Sequence, residues 1–202
     1  RAIRFAARFG NQLDKDTDIA LQKDASLEGI SGERIRDEFL KGIASAKSVK
    51  GFLQMLDKYN LFTWIFKGLK LNKGFINNND PIIVCSVLLK DNNVDIIGKQ
   101  LNNLKYSVEE IKGIKFLVAL LKLSVDTAVT LKKAQEHSGI SSDQINIFGK
   151  IEKINEKLLH AFIEFHLSVS GVEAMDLTGL KQGPELGKAI QQIETDNFKK
   201  LL

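Results

Sequence analysis

The sequence predicts an all-α protein, an irregular array of many helices. Three observations carry that prediction. Apolar residues recur at helical spacing along most of the chain, and alternating β-branched runs are absent. Helix-start signals precede the apolar stretches: Asp80-Pro81, and the Ser-x-x-Glu/Gln boxes at Ser107 and Ser141. Proline is confined to Pro81 and Pro184, each placed where a helix would begin.

In order, Arg1 to Phe9 reads as a helix stopped at Gly10, with Ala2, Phe5 and Phe9 as its inward stripe and Arg1, Arg4 and Arg8 sharing another face. Asp14 or Asp16 caps a short helix from Thr17 to Lys23. Ser31 caps the next, Gly32 to about Ala44, where the i, i+4 spacing lets Arg34 and Glu38 pair. Ser48 opens a helix with Phe52, Leu53, Met55 and Leu56 inward, followed by L-F-T-W-I-F. Phe62, Trp64 and Phe66 suit either an RNA-stacking platform or the core, and the core reading is preferred because no basic residue interleaves them before Lys67. The Gly- and Asn-rich stretch from Leu69 to Asn79 is the best boundary between helical regions.

Asp80-Pro81 then starts a helix that is apolar almost all round, and Val94 to Leu104 is its partner. A helix from Ser107, one from Ser124 or Asp126 to about His137, and a single long helix from Ile145 to about Leu167 follow. Gly183 and Pro184 start the last. Three helical regions result: 1–68, 69–140 and 141–202.

Composition narrows the classes. A 44% hydrophobic fraction suits a chain that buries a core. No window supplies the roughly 20 apolar residues of a membrane span. No secretion signal is evident, so no membrane is expected and the expected compartment is cytoplasmic. The lone Cys85 excludes an internal disulfide framework, and its run I-I-V-C-S-V-L-L points to a buried thiol. A net charge of +4 favours a polyanionic partner only mildly. Its distribution says more: every arginine (Arg1, Arg4, Arg8, Arg34, Arg36) lies before residue 40, and all later basic residues are lysines or histidines. Arginine's planar fork grips carboxylate or phosphate at two points. Structural pairing and RNA or nucleotide contact are both open for that cluster.

Three signatures in the first forty residues, R-A-I-R-F-A-A-R-F-G, L-D-K-D-T-D-I-A-L and I-S-G-E-R-I-R-D-E-F, resemble the neck of the tRNA nucleotidyltransferase (CCA-adding enzyme) and bacterial poly(A) polymerase family. Near the end, M-D-L-T-G-L-K-Q-G-P-E-L-G is similar to that family's tail. The resemblance makes 1–68 neck-like, 69–140 body-like and 141–202 tail-like. It implies that Arg1, Arg4, Arg34 and Glu38 support a nucleotide site from behind. It also implies RNA contact at Arg8, Lys181, Gly183 and Lys188, although from the residues alone a plain turn and helix start is the preferred reading of the Gly183 region.

The implied partner is tRNA or another RNA. The implied cofactors belong to a complete enzyme, Mg2+ with CTP or ATP, and none is expected on this chain. The family's G-G-x-V-R-D, strand-borne D-x-D, R-R-D and E-D-x-x-R segments do not occur here. Neither do H-E-x-x-H or a phosphate-binding G-x-x-x-x-G-K-[ST] loop. The chain opens without Met inside a helical pattern, so it is expected to be a piece whose catalytic head lies in cis or acts in trans. The alternatives are a headless RNA-binding or adaptor protein derived from the family, and a helical protein-interaction scaffold.

Overall fold

The computed structural model describes residues 1–202 and contains thirteen helices and no strand. The chain forms two compact units, residues 1–118 and 119–202. The 69–79 stretch lies inside the first.

The first unit holds α1 (Ala2–Phe9), α2 (Lys15–Lys23), α3 (Gly32–Ser45), α4 (Val49–Lys58), the single turn α5 (Phe62–Ile65), α6 (Pro81–Leu89) and α7 (Val94–Asn103). Helix α8 (Val108–Leu120) ends at the division. Caps set most of the starts. The side chains of Asp14, Ser31, Ser48 and Asn93 each accept a backbone N–H one turn in. Asp80 Oδ1 accepts from Ile82 N at 2.8 Å and Ile83 N at 3.2 Å, ahead of Pro81. Ser107 and Glu110 make the expected reciprocal box.

The core of this unit is aromatic. Phe39 meets Phe66 edge-on at 5.3 Å and packs on Phe52 and Phe62. Gly42 lets the Phe52 ring lie on the α3 backbone, because a Cβ there would stand 2.2 Å from Phe52 Cζ. Burying one such ring contributes about 2–3 kcal/mol. Helix α6 is buried continuously from Ile83 to Leu89, as its all-round apolar sequence requires.

The Asn-rich stretch is a strap fastened by side-chain amides that stand in for backbone. Asn77 Oδ1 accepts from Val49 N at 2.8 Å. Asn79 Nδ2 donates to Ile43 O and Ala46 O. Leu69, Leu71, Phe75 and Ile76 pack on the core beneath.

The second unit holds α9 (Val125–Glu136), α10 (Ser142–Glu152), α11 (Glu156–Glu164), α12 (Gly171–Thr178) and α13 (Pro184–Lys199). Helix α13 packs on α9 and α12, and Phe198 meets Phe165 edge-on at 5.2 Å. The long helix expected from Ile145 to Leu167 is two helices. Lys153 turns left-handed at φ 56°, Ile154 N donates back to Gly149 O, and Asn155 caps α11 through Leu158 N. The fold-back brings Leu159 onto Gly149, where a Cβ would lie 2.3 Å from Leu159 Cδ2. A continuous helix would keep those residues apart. The buried Lys132 ammonium donates to Phe162 O at 3.1 Å and Ile163 O at 3.4 Å, closing the C-terminal carbonyls of α11. Glu194 Oε1 accepts from Ser168 N and Val169 N, fixing the entry to α12.

Candidate functional site

Helix α1 turns a different face inward from the one expected. Ile3, Ala6 and Ala7 are buried, while Phe5 and Phe9 are 40% and 54% exposed. Small residues win the inner face because α1 lies closely on α3 and α4. The two displaced rings stack parallel at 6.4 Å, with the Arg4 guanidinium 4.4 Å from the Phe5 centroid and that of Arg8 5.7 Å from Phe9. Gly10 ends the helix at φ 71°, which glycine adopts without the steric cost of a Cβ, and Asn11 N closes onto Ala6 O. Lys47 N takes the Ala7 carbonyl, so the α3–α4 connection holds the end of α1 in place.

This docking redirects Glu38. Its partner is Arg4 of α1, Nε to Oε2 at 2.8 Å, and not Arg34 one turn away on its own helix. A fork arriving from a packed neighbour outcompetes an exposed i, i+4 pair worth a few tenths of a kcal/mol. Burial opposes the charged carboxylate, but the Arg4 bond and charge outweigh it and hold Glu38 below the usual glutamate range.

Arg1, Arg4, Arg34 and Glu38 line one cavity of about 190 Å³. Its inner wall includes the buried residues Ile3, Phe39, Phe52, Leu56, Leu61 and Ile65, and Arg1 and Arg34 are exposed. All four support residues named from the sequence are thus brought together, with an apolar interior behind a mainly cationic rim. The Arg4–Glu38 pair ties α1 to α3 at the junction that carries this rim. Arg36 is used otherwise: it bonds Asp37 and donates to Lys105 O.

The four residues for which RNA contact was expected are divided between the two units. Arg8 is exposed on α1 in the first unit. Lys181, Gly183 and Lys188 are exposed around the start of α13 in the second. There Pro184 occupies the first helical position and no side chain caps the amides that follow.

Sequence reasoning missed two features. Trp64, expected in the core, is 41% exposed, while Phe62 and Phe66 are buried. In a one-turn helix positions 62, 65 and 66 face one way and 64 the other, a spacing that was readable in advance. The second is a junction: the Asp18 carboxylate accepts from Lys58 Nζ at 2.7 Å and from the Tyr59 hydroxyl, tying α2 to α4. These bonds hold Asp18 below the usual aspartate range.

Cys85 is fully buried, and desolvation pushes its thiol up to about 12. No three His, Cys, Asp or Glu side chains are grouped to hold a metal ion. No helix is long and apolar enough to cross a membrane.

The profile of a family described as "Probable RNA and SrmB- binding site of polymerase A" matches residues 11–72. The CCA-adding enzyme of Lactococcus lactis subsp. cremoris (strain MG1363) is 27% identical over 210 aligned positions, covering 96% of this chain and 52% of its own. That of Listeria innocua serovar 6a (strain ATCC BAA-680 / CLIP 11262) is 26% identical over 215, covering 96% and 53%. The chain therefore spans about half the length of the curated relatives it matches. No solved structure gives a significant match. The two comparisons support the likeness read from the sequence, to a C-terminal region of the CCA-adding and poly(A) polymerase family.

Proposed function

We propose that this chain is the RNA-binding, C-terminal part of a nucleotidyltransferase that adds CCA or A nucleotides to RNA 3′ ends. The observation that carries the reading is the similarity to CCA-adding enzymes along 96% of the chain, joined by the RNA-binding profile over residues 11–72. In this reading the Arg4–Glu38 pair braces α1 against α3, and Arg1 and Arg34 present their forks at the same cavity. They support a nucleotide site completed by a catalytic head, in cis or in trans. That head would hold CTP or ATP and Mg2+.

Arg8, Lys181 and Lys188 contact RNA phosphates, and the uncapped amides after Gly183 add donors of the same kind. tRNA is the expected substrate. Backbone contact dominates, so binding weakens steeply with salt.

The test is anisotropy of labelled tRNA, with and without its terminal CCA, titrated with the chain at about 50 mM salt. Saturable binding that a charged competitor displaces is expected. No change in anisotropy at that ionic strength would sink the reading.

A further inference from the structure

Trp64 leaves a large ring in solvent at the edge of a well-packed aromatic core, and a concave groove of about 360 Å³ lies against it. The groove runs from the end of α2 through the 24–26 turn to the corner between α4 and α5. Gln22 and Asn60 bring side-chain amides to it, and Lys23 and Lys58 bring ammonium groups.

The corner is held firmly. Asn60 sits at φ 54°, its N–H donates to Asp57 O, and its carbonyl accepts from Thr63 Oγ1 at 2.8 Å. Asp24 lines the groove as well, its Oδ1 accepting from Ser26 N, and Asp18 is bonded by Lys58, Tyr59 and Gln22. Lys58 is paired with Asp18, so the Lys23 ammonium, which has no ion pair, is the cation of the groove open to a phosphate, with the Asp24 carboxylate beside it in sequence.

An exposed indole, an unpaired lysine and the Asn60 amide, with the Gln22 amide oxygen beside them while its Nε2 donates to Asp18 Oδ2, suit an unpaired base. The ring offers a stacking face, the ammonium meets the phosphate, and the amides meet the base edge. A duplex could not use the face, because its bases are already stacked on one another. We propose that this groove is a subsite for one unpaired base of a bound RNA, stacked on Trp64 with the adjoining phosphate at Lys23. The proposal rests on the RNA-binding reading above and assigns it a place, within the segment 11–72 that the RNA-binding profile matches.

Trp64 is the only tryptophan, so its fluorescence reports the subsite directly. The chain is titrated with a short single-stranded oligoadenylate while indole emission is followed. A fluorescein-labelled copy of the same oligonucleotide reports binding independently by anisotropy. The expected result is saturable quenching with the same midpoint as the anisotropy change, and protection of the indole from acrylamide. Trp64→Leu should weaken binding about 5- to 100-fold, Trp64→Phe much less, and Lys23→Gln should lower the log–log salt slope by about 0.7.

Should Trp64→Leu unfold, acrylamide protection in the unaltered chain still decides the matter. Binding by anisotropy with no quenching or protection overturns the subsite and leaves the RNA-binding reading standing. No binding at all overturns both. Indole emission that shifts with protein concentration alone makes this face a protein contact, and also overturns the subsite.

Discussion

Replacing Arg4 with methionine strips the Glu38 carboxylate of the guanidinium that bonds it at 2.8 Å. The size of the effect follows from exposure. Arg4 is 12% and Glu38 27% exposed, so the pair lies between two regimes. Open surface pairs contribute about 0.2–1 kcal/mol, and hydrogen bonds to charged groups in protected settings about 1.5–3 kcal/mol. A coupling of about 1–2 kcal/mol is therefore expected from the cycle of wild type, Arg4→Met, Glu38→Gln and the double variant.

Urea unfolding followed by Trp64 emission measures it, because the single tryptophan and the pair share the first unit. Glu38 is held below its ordinary value, so its contribution is complete above the unfolded value of about 4.3 and is lost as pH falls through the lower folded value. The coupling should be full at neutral pH and vanish in strong acid. Single effects that add within about 0.3 kcal/mol at neutral pH would refute the argument. So would a coupling that survives complete protonation.

Gly149→Val should destabilise the second unit by about 2 kcal/mol, since Leu159 occupies the space a side chain needs, while Gly187→Ala, facing open space, should stabilise by about 0.5–1 kcal/mol. Thermal melts by circular dichroism compare the two, and equal effects would contradict the α10–α11 fold-back. Asp80→Ala removes the cap that receives two amides of α6 and should cost about 1 kcal/mol in the same assay. Cys85 should resist an aromatic disulfide reagent until the first unit unfolds, and prompt stoichiometric labelling of the native chain would contradict its burial.

The elements legible in the sequence are those fixed locally. The Asp80-Pro81 start and the boxes at Ser107 and Ser141 each act within a single turn, and each stands as read. Facing and pairing depend on neighbours that periodicity does not name. Phe5 and Phe9 look like an inner stripe until the close approach of α1 to α3 and α4 selects Ile3, Ala6 and Ala7. Glu38 looks committed to Arg34 until that docking delivers Arg4.

The break at Lys153 was hidden because a lysine in a left-handed turn carries no sequence mark, although Asn155 three residues before Leu158 was a usable cap signal. Of the proposed support site, Arg1, Arg4, Arg34 and Glu38 were named from the sequence and line one cavity, whereas its apolar wall was readable only as core.

The most direct measurement is the salt dependence of tRNA binding for the chain and for its Arg8→Gln, Lys181→Gln and Lys188→Gln variants. The account predicts that log affinity falls linearly with log salt, and that each substitution lowers the slope by about 0.7–0.9. Affinity indifferent to salt, or variants with the slope of the unaltered chain, would contradict RNA binding through these residues.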